Sequence, residues 1–476
     1  MQSAAPRSAP HLLLAALLLA AGSAHADDAA IARIEAGLRP AIALANAPVK
    51  TESLQEAMAR LKVPGVSVAV IKDGKVAWSR GYGVAWTGGP AVTPQTLFQA
   101  ASVSKPVTAM AALRMVEQGK LDLDAGIDTA LTSWRLPDGK GKPSVRQLLS
   151  HTGGMSVSGF PGYAAGKSAP TLVQVLDGAW AANTKAVRVD AAPGSAFRYS
   201  GGGYTVLQQA MIDRSGQPFD VLLRDSVLAP LGMSESSFSQ PLPEALQARA
   251  ARAHDEDGKP YRGGANTYPE LAAAGLWTTP QDLAKFAIAI QNGAAGGDNG
   301  VISPGMTRTM LTPVMNNYAL GLNIQDDGKG FGHNGANMGF RALMVASAEG
   351  GDGAVILTNG DNGGPLADSL VRAIAHEYKW SFNQTRLRPT IELAPEQMKA
   401  LVGKYEIEGL GRFEIAEREG QLMVANRGAP WEPLYAESDK LLFIMSRPIE
   451  LHRHDADRGM SVLGGSSRPY KRVGGR

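Results

Sequence analysis

The chain has 476 residues, of which 44% are hydrophobic and 19% charged, and this is enough apolar material for one large core and a smaller appended domain. Such a composition excludes a low-complexity disordered chain. The formal net charge is +3 and the sequence has no long run of lysine and arginine, which argues against a nucleic-acid partner. The chain contains no cysteine, so disulfides, thiol catalysis and a lipidated cysteine anchor are excluded.

Residues 1–26 predict an export signal. Arg7 supplies a positive start, residues 12–21 are an apolar run, and Ala24 and Ala26 place small residues at the two positions that determine cleavage. The apolar run is too short to span a bilayer comfortably, and no later run is long enough. We therefore expect secretion across the inner membrane, with cleavage after Ala26 and a periplasmic location. An uncleaved N-terminal anchor is the alternative.

The next 350 or so residues predict an α+β domain. Asp73-Gly74 joins two β-type runs as a hairpin, and Pro106 requires the helix that ends before Gly119 to begin close to Ser102. Strands at both ends of the segment, with helices between them, predict a sheet completed by both ends. In chain order the predicted elements are a helix at 29–47, strands at 66–71 and 76–78, helices at 102–118 and 281–292, strands at 318–324, 340–346 and 354–358, and a helix at 366–378.

A composition shift at residues 386–395 predicts a domain boundary. Beyond it, apolar alternation and turn residues favour a small all-β module, while a floppy tail is the alternative. We therefore expect a main domain at 27–388 and a β domain at 389–476. The predicted strands of this module are 404–407, 413–416, 422–425, 441–444 and 449–452.

Ser102 and Lys105 form the one S-x-x-K of the sequence, at a predicted helix start. One helical turn separates the two side chains, so the ammonium can face the hydroxyl. A serine hydroxyl is a poor nucleophile until a neighbouring base takes its proton, and Ser-Lys pairs are one known solution. One such pair is expected by chance in a chain of this composition, so a solvated polar first turn is the alternative.

Five stretches stand in a fixed order around this pair. They are residues 64–70 (PGVSVAV), 98–105 (FQAASVSK), 148–155 (LLSHTGGM), 193–200 (PGSAFRYS) and 332–335 (GHNG). Together they resemble motifs of the class C β-lactamase and D-alanyl-D-alanine carboxypeptidase family, which also contains esterases and amidases. The resemblance covers residues 31–378, and the order of several motifs makes it more specific than any single motif.

The resemblance implies an acyl-enzyme mechanism with three catalytic residues. Ser102 would attack a carbonyl carbon, and Lys105 would activate the hydroxyl and relay its proton. Tyr199 would be the general base toward Ser102 and the general acid toward the leaving group. A phenol ordinarily ionises near pH 10, so this role needs adjacent positive charge, for which Lys105 is the candidate. A buried structural role for Tyr199 is the alternative.

The resemblance also implies the groups that hold the substrate. The backbone N–H groups of Ser102 and Ala336 would form the oxyanion hole. His333, with Asn334 and Gly335, would line the site and orient the substrate, and His333 would not act as the base. For His151 a structural role in a bracing loop is favoured, and for His333 an ordinary strand position is the alternative.

One motif departs from the family pattern. The family has Tyr-x-Asn, whereas this chain has Tyr199-Ser200-Gly201, and no Tyr-x-Asn occurs anywhere. Ser381-Phe382-Asn383 comes after the last motif and is attributed to chance. Loss of the carboxamide should weaken selection for acylamino substrates such as penicillins and D-Ala-D-Ala peptides. Gly201–Gly203 could also be interpreted as a phosphate loop, but without a following Lys-Ser/Thr pair a simple tight turn is predicted.

The expected fold is therefore α+β, of the β-lactamase/penicillin-binding type. It should have an antiparallel sheet flanked by helices and a mostly helical subdomain, followed by a small all-β domain that resembles lipocalin-like domains. The expected function is an exported serine hydrolase acting through a Ser102 acyl-enzyme on ester, small amide, β-lactam or D-Ala-peptide-like substrates. A non-catalytic or weakly catalytic module that binds cell-wall peptide or another ligand is the alternative.

The sequence gives weak or no signals for other partners. His452 and His454 alternate along a late strand without further ligands, so neither a metal nor another cofactor is expected. The expected partner is a small-molecule or peptide acyl substrate. The oligomeric state and the role of the C-terminal module stay open, with covering of the site entrance and self-association as the two options for the module.

Overall fold

The computed structural model describes residues 28–426, 430–445, 449–463 and 466–474. They form two compact units: the larger comprises Gln55–Val371 and Trp380–Phe382, and the smaller comprises the rest of the described chain. The predicted signal peptide and its cleavage site lie outside the described residues, and the predicted division at residue 388 stays a prediction. Within the described ranges, no helix combines the length and apolar character needed to cross a membrane.

A six-stranded sheet forms the centre of the larger unit. In chain order its strands are β1 (Gly65–Lys72), β2 (Lys75–Gly83), β3 (Asn323–Gln325), β4 (Gly330–Asn337), β5 (Phe340–Ser347) and β6 (Gly353–Thr358). Across the sheet they stand in the order β2-β1-β6-β5-β4-β3, and every neighbouring pair is antiparallel.

The two ends of the chain segment that forms this sheet meet at strand β1. Residues 65–71 are all buried, because β1 has a partner on each side: β2 continues its hairpin, and β6 arrives from the other end of the segment. Val68 stands opposite Ile356 in that second pairing. The prediction of an antiparallel sheet completed by both ends is therefore confirmed.

Helices surround the sheet. They are α1 (Leu54–Leu61), α2 (Ser104–Glu117), α3 (Val145–Leu149), α4 (Leu172–Asp177), α5 (Gly201–Ser215), α6 (Phe219–Leu223), α7 (Glu244–Gln247), α8 (Leu271–Ala274), α9 (Pro280–Ala294), α10 (Pro304–Leu311) and α11 (Gly363–Glu377). A further helix, α12 (Pro395–Leu401), belongs to the smaller unit. Helix α9 packs on β1, β5 and β6. Helix α2 is buried on nearly all sides, as expected for a helix without a strong polar face.

Two predicted elements are shorter in the structure. The helix predicted at 29–47 covers residues 28–36, because Pro40 cannot continue a helix, and Ile42–Leu44 is instead a strand that pairs in parallel with Arg386–Arg388. The strand predicted at 318–324 is reduced to β3, since Gly321 turns the chain with a φ of +86°. The helix predicted at 102–118 is confirmed, and Gly119 follows it in a left-handed conformation.

The smaller unit contains a nine-stranded antiparallel sheet. Its strands are β7 (Gly403–Ile407), β8 (Gly411–Arg418), β9 (Gln421–Asn426), β10 (Glu432–Pro433), β11 (Tyr435–Ala436), β12 (Leu441–Phe443), β13 (Ile449–Arg453), β14 (Arg458–Leu463) and β15 (Ser466–Arg472). The order is β10-β9-β8-β7-β15-β14-β13-β12-β11. Because the two edge strands are separated by Leu434 alone, the sheet curls into a nearly closed barrel.

The barrel confirms the five predicted late strands and adds others. Strands β14 and β15 were missed because arginine, glycine and serine residues interrupt their apolar alternation. Inside the barrel, Tyr405 stacks on Phe413 at 5.1 Å, and Tyr470 meets both rings edge-on. This sustained core is incompatible with a floppy tail.

Arg388 is a buried arginine in the segment that leads into the barrel, and it contacts barrel residues. The Arg388 side chain is 1% exposed, donates to Glu450 at 2.9 Å and to Glu437 at 2.5 Å, and lies over the Phe443 ring at 4.0 Å. Two carboxylates and a ring face therefore compensate the desolvation of one guanidinium.

We expect Arg388→Leu to lower the free energy of unfolding by about 2–3 kcal/mol, because it leaves two half-buried carboxylates without their cation. Urea unfolding of the full chain measures this change. Arg386→Leu is the matched control: Arg386 contacts the same Glu450 at 3.4 Å but is 62% exposed, so its loss should cost less than about 1 kcal/mol. Equal effects of the two substitutions would contradict the interpretation.

Candidate active site

The S-x-x-K pair lies where a 3₁₀ turn, Ala101–Val103, runs directly into α2. The Lys105 Nζ donates a hydrogen bond to Ser102 Oγ at 3.0 Å, so the two side chains meet as their spacing predicts. The Ser102 side chain is half-buried. Ala101 precedes it with a φ of +49°, a conformation that is unusual for alanine and costs backbone strain. The strained turn presents the hydroxyl beside the ammonium.

Lys105 is almost completely buried, at 2% exposure. Its Nζ donates to Ala273 O at 2.8 Å and lies 5.0 Å from the ring centre of Tyr199 and 5.7 Å from that of Tyr204. A carbonyl, a hydroxyl and two aromatic faces thus replace its water shell. The structure therefore brings Ser102, Lys105 and the Tyr199 ring together.

Helix α8 supplies the carbonyl groups beneath the lysine. The last carbonyls of a helix have no partner within the helix. Ala272 O accepts from Thr108 Oγ1 at 3.2 Å, and Ala274 O accepts from Asn337 Nδ2 at 3.2 Å, beside the Lys105 contact. This helix is absent from the predicted elements, although an alanine run ended by Gly275 is a signal for a short helix.

Aromatic and imidazole rings pack beneath Tyr199. The ring of His151 lies 4.2 Å from that of Tyr199, 4.8 Å from Tyr318 and 5.4 Å from Tyr204. His151 is 2% exposed, its Nδ1 accepts from the Ser200 N–H at 3.1 Å, and burial holds its pKa well below the ordinary value. These contacts fit the favoured structural role, since His151 supports the segment that carries Tyr199.

His333 is also buried, at 2% exposure. Its Nε2 lies 3.0 Å from the Tyr318 hydroxyl and its Nδ1 lies 2.5 Å from Asn334 O. Because a carbonyl can only accept, Nδ1 carries the proton and Nε2 accepts from the phenol. Burial and the nearby Lys105 charge lower the pKa of His333 to about 3, so the ring is neutral in ordinary buffers. Sequence reasoning missed Tyr318, which has no motif of its own.

Strand β4 passes directly beside the serine. A Cβ on Gly335 would lie 2.2 Å from Ala100 O and 3.1 Å from Ser102 N, so only glycine permits this approach. Asn334 and Ala336 flank it and are exposed on the other face of β4. Strand β4 comes closest to the serine turn at Gly335, and Ala336 is the next residue along the strand.

Gly201–Gly203 do not form the predicted tight turn; they begin α5. Ser200 caps this helix, with its Oγ accepting from the Gly203 N–H at 3.1 Å. Residues 156–160 cross over the helix start, where Gly201 N–H donates to Ser158 O at 3.0 Å. A Cβ on Gly202 would lie 2.7 Å from Ser156 O, so the glycines are required by close packing of the crossing segment.

Glu270 is a buried carboxyl group immediately before α8. It is 0% exposed, and neither of its oxygens has a hydrogen-bond partner in another described residue. Burial raises its pKa to about 7, so the group is largely protonated in the folded protein below neutral pH. Sequence reasoning did not identify it.

The residues proposed as catalytic thus lie in a segment that matches a known family. The Beta-lactamase family model matches residues 51–379. The chain belongs to the Beta-lactamase family. Members of this family are serine hydrolases, and the paired Ser102 and Lys105 of this member lie inside the matched segment.

Individual relatives of this Beta-lactamase family member carry several names. "Penicillin-binding protein 4" of Amycolatopsis lactamdurans is 28% identical over 376 residues, which is 73% of this chain and 94% of the relative. "Esterase EstB" of Burkholderia gladioli is 30% identical over 220 residues, 44% of this chain and 54% of the esterase. The solved octameric penicillin-binding protein homologue from Pyrococcus abyssi is 23% identical, with a TM-score of 0.60 over 88% of this chain and 98% of that one. This last likeness confirms the expected fold.

We expect Gly335→Ala to slow labelling of the protein by a fluorophosphonate at least tenfold, because β4 must retreat from Ala100 O and Ser102 N. The second-order labelling rate measures this effect, and thermal unfolding checks that the fold is retained. Gly364→Ala is the control, since a Cβ there meets nothing within 4 Å. If Gly335→Ala is labelled at the wild-type rate, the close approach of β4 does not affect the reactivity of Ser102.

Glu270 should make stability depend on pH. Its folded pKa of about 7 lies above the ordinary value of 4.5, so its favourable contribution is complete below pH 4.5 and is lost as the pH rises to about 7. Relative to Glu270→Gln, the wild type should lose about 3 kcal/mol of unfolding free energy across this window. Urea unfolding at pH 4.5 and 8 tests this, with the exposed Glu244→Gln as the control that should track the wild type.

Proposed function

We propose that this protein is an exported serine hydrolase that transfers acyl groups from esters and small amides first to Ser102 and then to water. The observation that carries the proposal is the 3.0 Å hydrogen bond between Ser102 and a lysine that is 2% exposed. Among the described residues the Lys105 ammonium is paired with a hydroxyl and a carbonyl and with no carboxylate. Its charge is therefore available to stabilise the negative charge that develops on the serine oxygen during attack.

The proposed acylation begins with attack of Ser102 Oγ on the substrate carbonyl carbon. The hydroxyl proton passes to Tyr199 with Lys105 as the relay, and the carbonyl electron pair moves onto oxygen. The backbone N–H groups of Ser102 and Ala336 stabilise that oxyanion, and the contact between β4 and the serine turn supports this role. The tetrahedral intermediate then expels the leaving group, which takes the proton from Tyr199.

Deacylation uses the same groups in reverse. A water molecule gives its proton to Tyr199 and attacks the acyl carbon, and Ser102 recovers its proton as the carboxylic acid leaves. We propose that Tyr199 is this base because its ring lies 5.0 Å from Lys105 Nζ. His333 is a neutral imidazole held in place by its hydrogen bond with the Tyr318 hydroxyl. Asn334 is exposed on β4, and we propose that it contacts substrate.

Esters are the favoured substrates for two reasons. Gly201 carries no carboxamide to recognise an acylamino group, and one relative is named an esterase. Other relatives are named a penicillin-binding protein and a D-alanyl-D-alanine-carboxypeptidase/endopeptidase. Peptide and β-lactam acyl donors therefore belong in any substrate panel beside simple esters.

The proposed location is the periplasm, with cleavage after Ala26. The support comes from residues 1–26, whose positive start, apolar run and small residues have the pattern of an export signal. Mass spectrometry of protein purified from the periplasm would test the cleavage site, since a chain that retains residues 1–26 would contradict it.

We expect Ser102→Ala to abolish both fluorophosphonate labelling and hydrolysis of p-nitrophenyl butyrate. Lys105→Ala should lower kcat/KM by about 10³-fold or more, because the serine loses its activating cation. Tyr199→Phe should lower it by about 10²–10⁴-fold through loss of general acid–base catalysis. Steady-state kinetics measures all three.

Ser104→Ala is the control, because Ser104 lies between the two catalytic positions but hydrogen-bonds only with backbone, to Ala101 O at 2.6 Å and from Leu276 N–H at 3.0 Å. Ser104→Ala should still be labelled by the fluorophosphonate, and it should lower the free energy of unfolding instead. Equal labelling of Ser102→Ala and wild type would overturn the proposed function. Tight ligand binding without turnover of any ester or of nitrocefin would favour the binding-module alternative.

A further inference from the structure

The start of α5 is the place where this chain departs from its family pattern, and the space there is filled. A Cβ on Gly201 would lie 2.9 Å from Phe160 Cε2 and 3.3 Å from Phe160 Cδ2. Contacts under 3.0 Å are essentially absent between real side chains, so any side chain at 201 must displace the ring. The missing carboxamide is therefore replaced by an aromatic ring and not by an empty space.

Phe160 packs on the core, and the backbone that follows it is hydrogen-bonded. Its ring is half-buried and packs on the main core of the larger unit. The next residue, Pro161, offers its carbonyl to Asn266 Nδ2 at 3.1 Å and to the Tyr268 hydroxyl at 3.3 Å. These hydrogen bonds hold the backbone that carries the ring.

The same hydrogen bonds connect the segment that carries Phe160 to the residue that follows strand β4. The Tyr268 hydroxyl that donates to Pro161 O also accepts from the Met338 N–H at 3.1 Å, two residues beyond Ala336. On its other side Phe160 touches Gly201, two residues beyond Tyr199. The ring thus lies against the residue two positions after the proposed base, and its segment is hydrogen-bonded through Tyr268 to the turn that follows the strand of the proposed oxyanion hole.

We propose that Phe160 is the residue that determines acyl-group specificity, by selecting apolar acyl groups and excluding the carboxamide that would bind an acylamino group. This inference rests on the proposed function. An aromatic ring gains from contact with an alkyl chain, whereas it leaves an amide N–H or C=O without a partner and so penalises acylamino substrates. The acyl donors of this enzyme are then esters of apolar carboxylic acids.

The test exchanges the ring for the carboxamide. Wild type, Phe160→Ala, Gly201→Asn and the Phe160→Ala/Gly201→Asn double variant are assayed with p-nitrophenyl butyrate and with the p-nitrophenyl ester of N-acetylglycine, which share a leaving group. Wild type should prefer the butyrate. Gly201→Asn alone should lose activity toward both esters because it collides with the ring. The double variant should shift the ratio of kcat/KM values about tenfold or more toward the acylamino ester.

The matched control is Phe160→Ala/Gly201→Ala, which opens the same space without a carboxamide; its ratio of kcat/KM values should match that of Phe160→Ala and fall short of the asparagine double variant. If the asparagine double variant does not fold, Phe160→Ala alone still decides, because it should lose the preference for butyrate. An active wild type whose preference is unchanged in Phe160→Ala and in the double variant would overturn this inference alone. A wild type that is neither labelled by fluorophosphonate nor active on either ester would overturn the proposed function instead.

Discussion

The site depends on keeping the ammonium of Lys105 away from water without neutralising it. A carboxylate partner would satisfy the charge but would also cancel the field that favours an anionic oxygen at Ser102. The structure instead surrounds the ammonium with weaker groups: the carbonyl of Ala273, the serine hydroxyl and the faces of Tyr199 and Tyr204. The 3₁₀ turn before α2, the start of α5 and helix α8 each supply part of this shell. The environment of Ser102 therefore depends on how these helices pack together.

Local patterns predicted most of the fold. The Asp73-Gly74 hairpin, the buried runs of β1 and β6 and the helix closed by Gly119 follow from residue spacing and turn chemistry alone. The errors came where one residue overrides a longer pattern, as when Pro40 ends the first helix early. Barrel strands β14 and β15 were missed because their pairing with neighbours, and not their own apolar content, makes them strands.

The candidate site was predictable only in its motifs. Spacing placed Lys105 beside Ser102, and the resemblance pointed to Tyr199 and His333, whose rings do lie near one another at 6.2 Å. Residues that act through distant contacts carry no local signal. Tyr318 reaches His333 from another segment, and Phe160 reaches Gly201 from about forty residues upstream, so only the folded chain shows which residues meet there.

The strand order has a consequence for how the chain is made. Val66 has its outer partner in Thr358, about 290 residues later, so the N-terminal hairpin exposes an unpaired apolar edge until nearly the whole larger unit has left the ribosome. Nascent chains that stop before β6 cannot close the sheet and are candidates for aggregation instead of partial activity. Because of this order of synthesis, truncations that remove β6 should be as damaging to activity as loss of the proposed nucleophile.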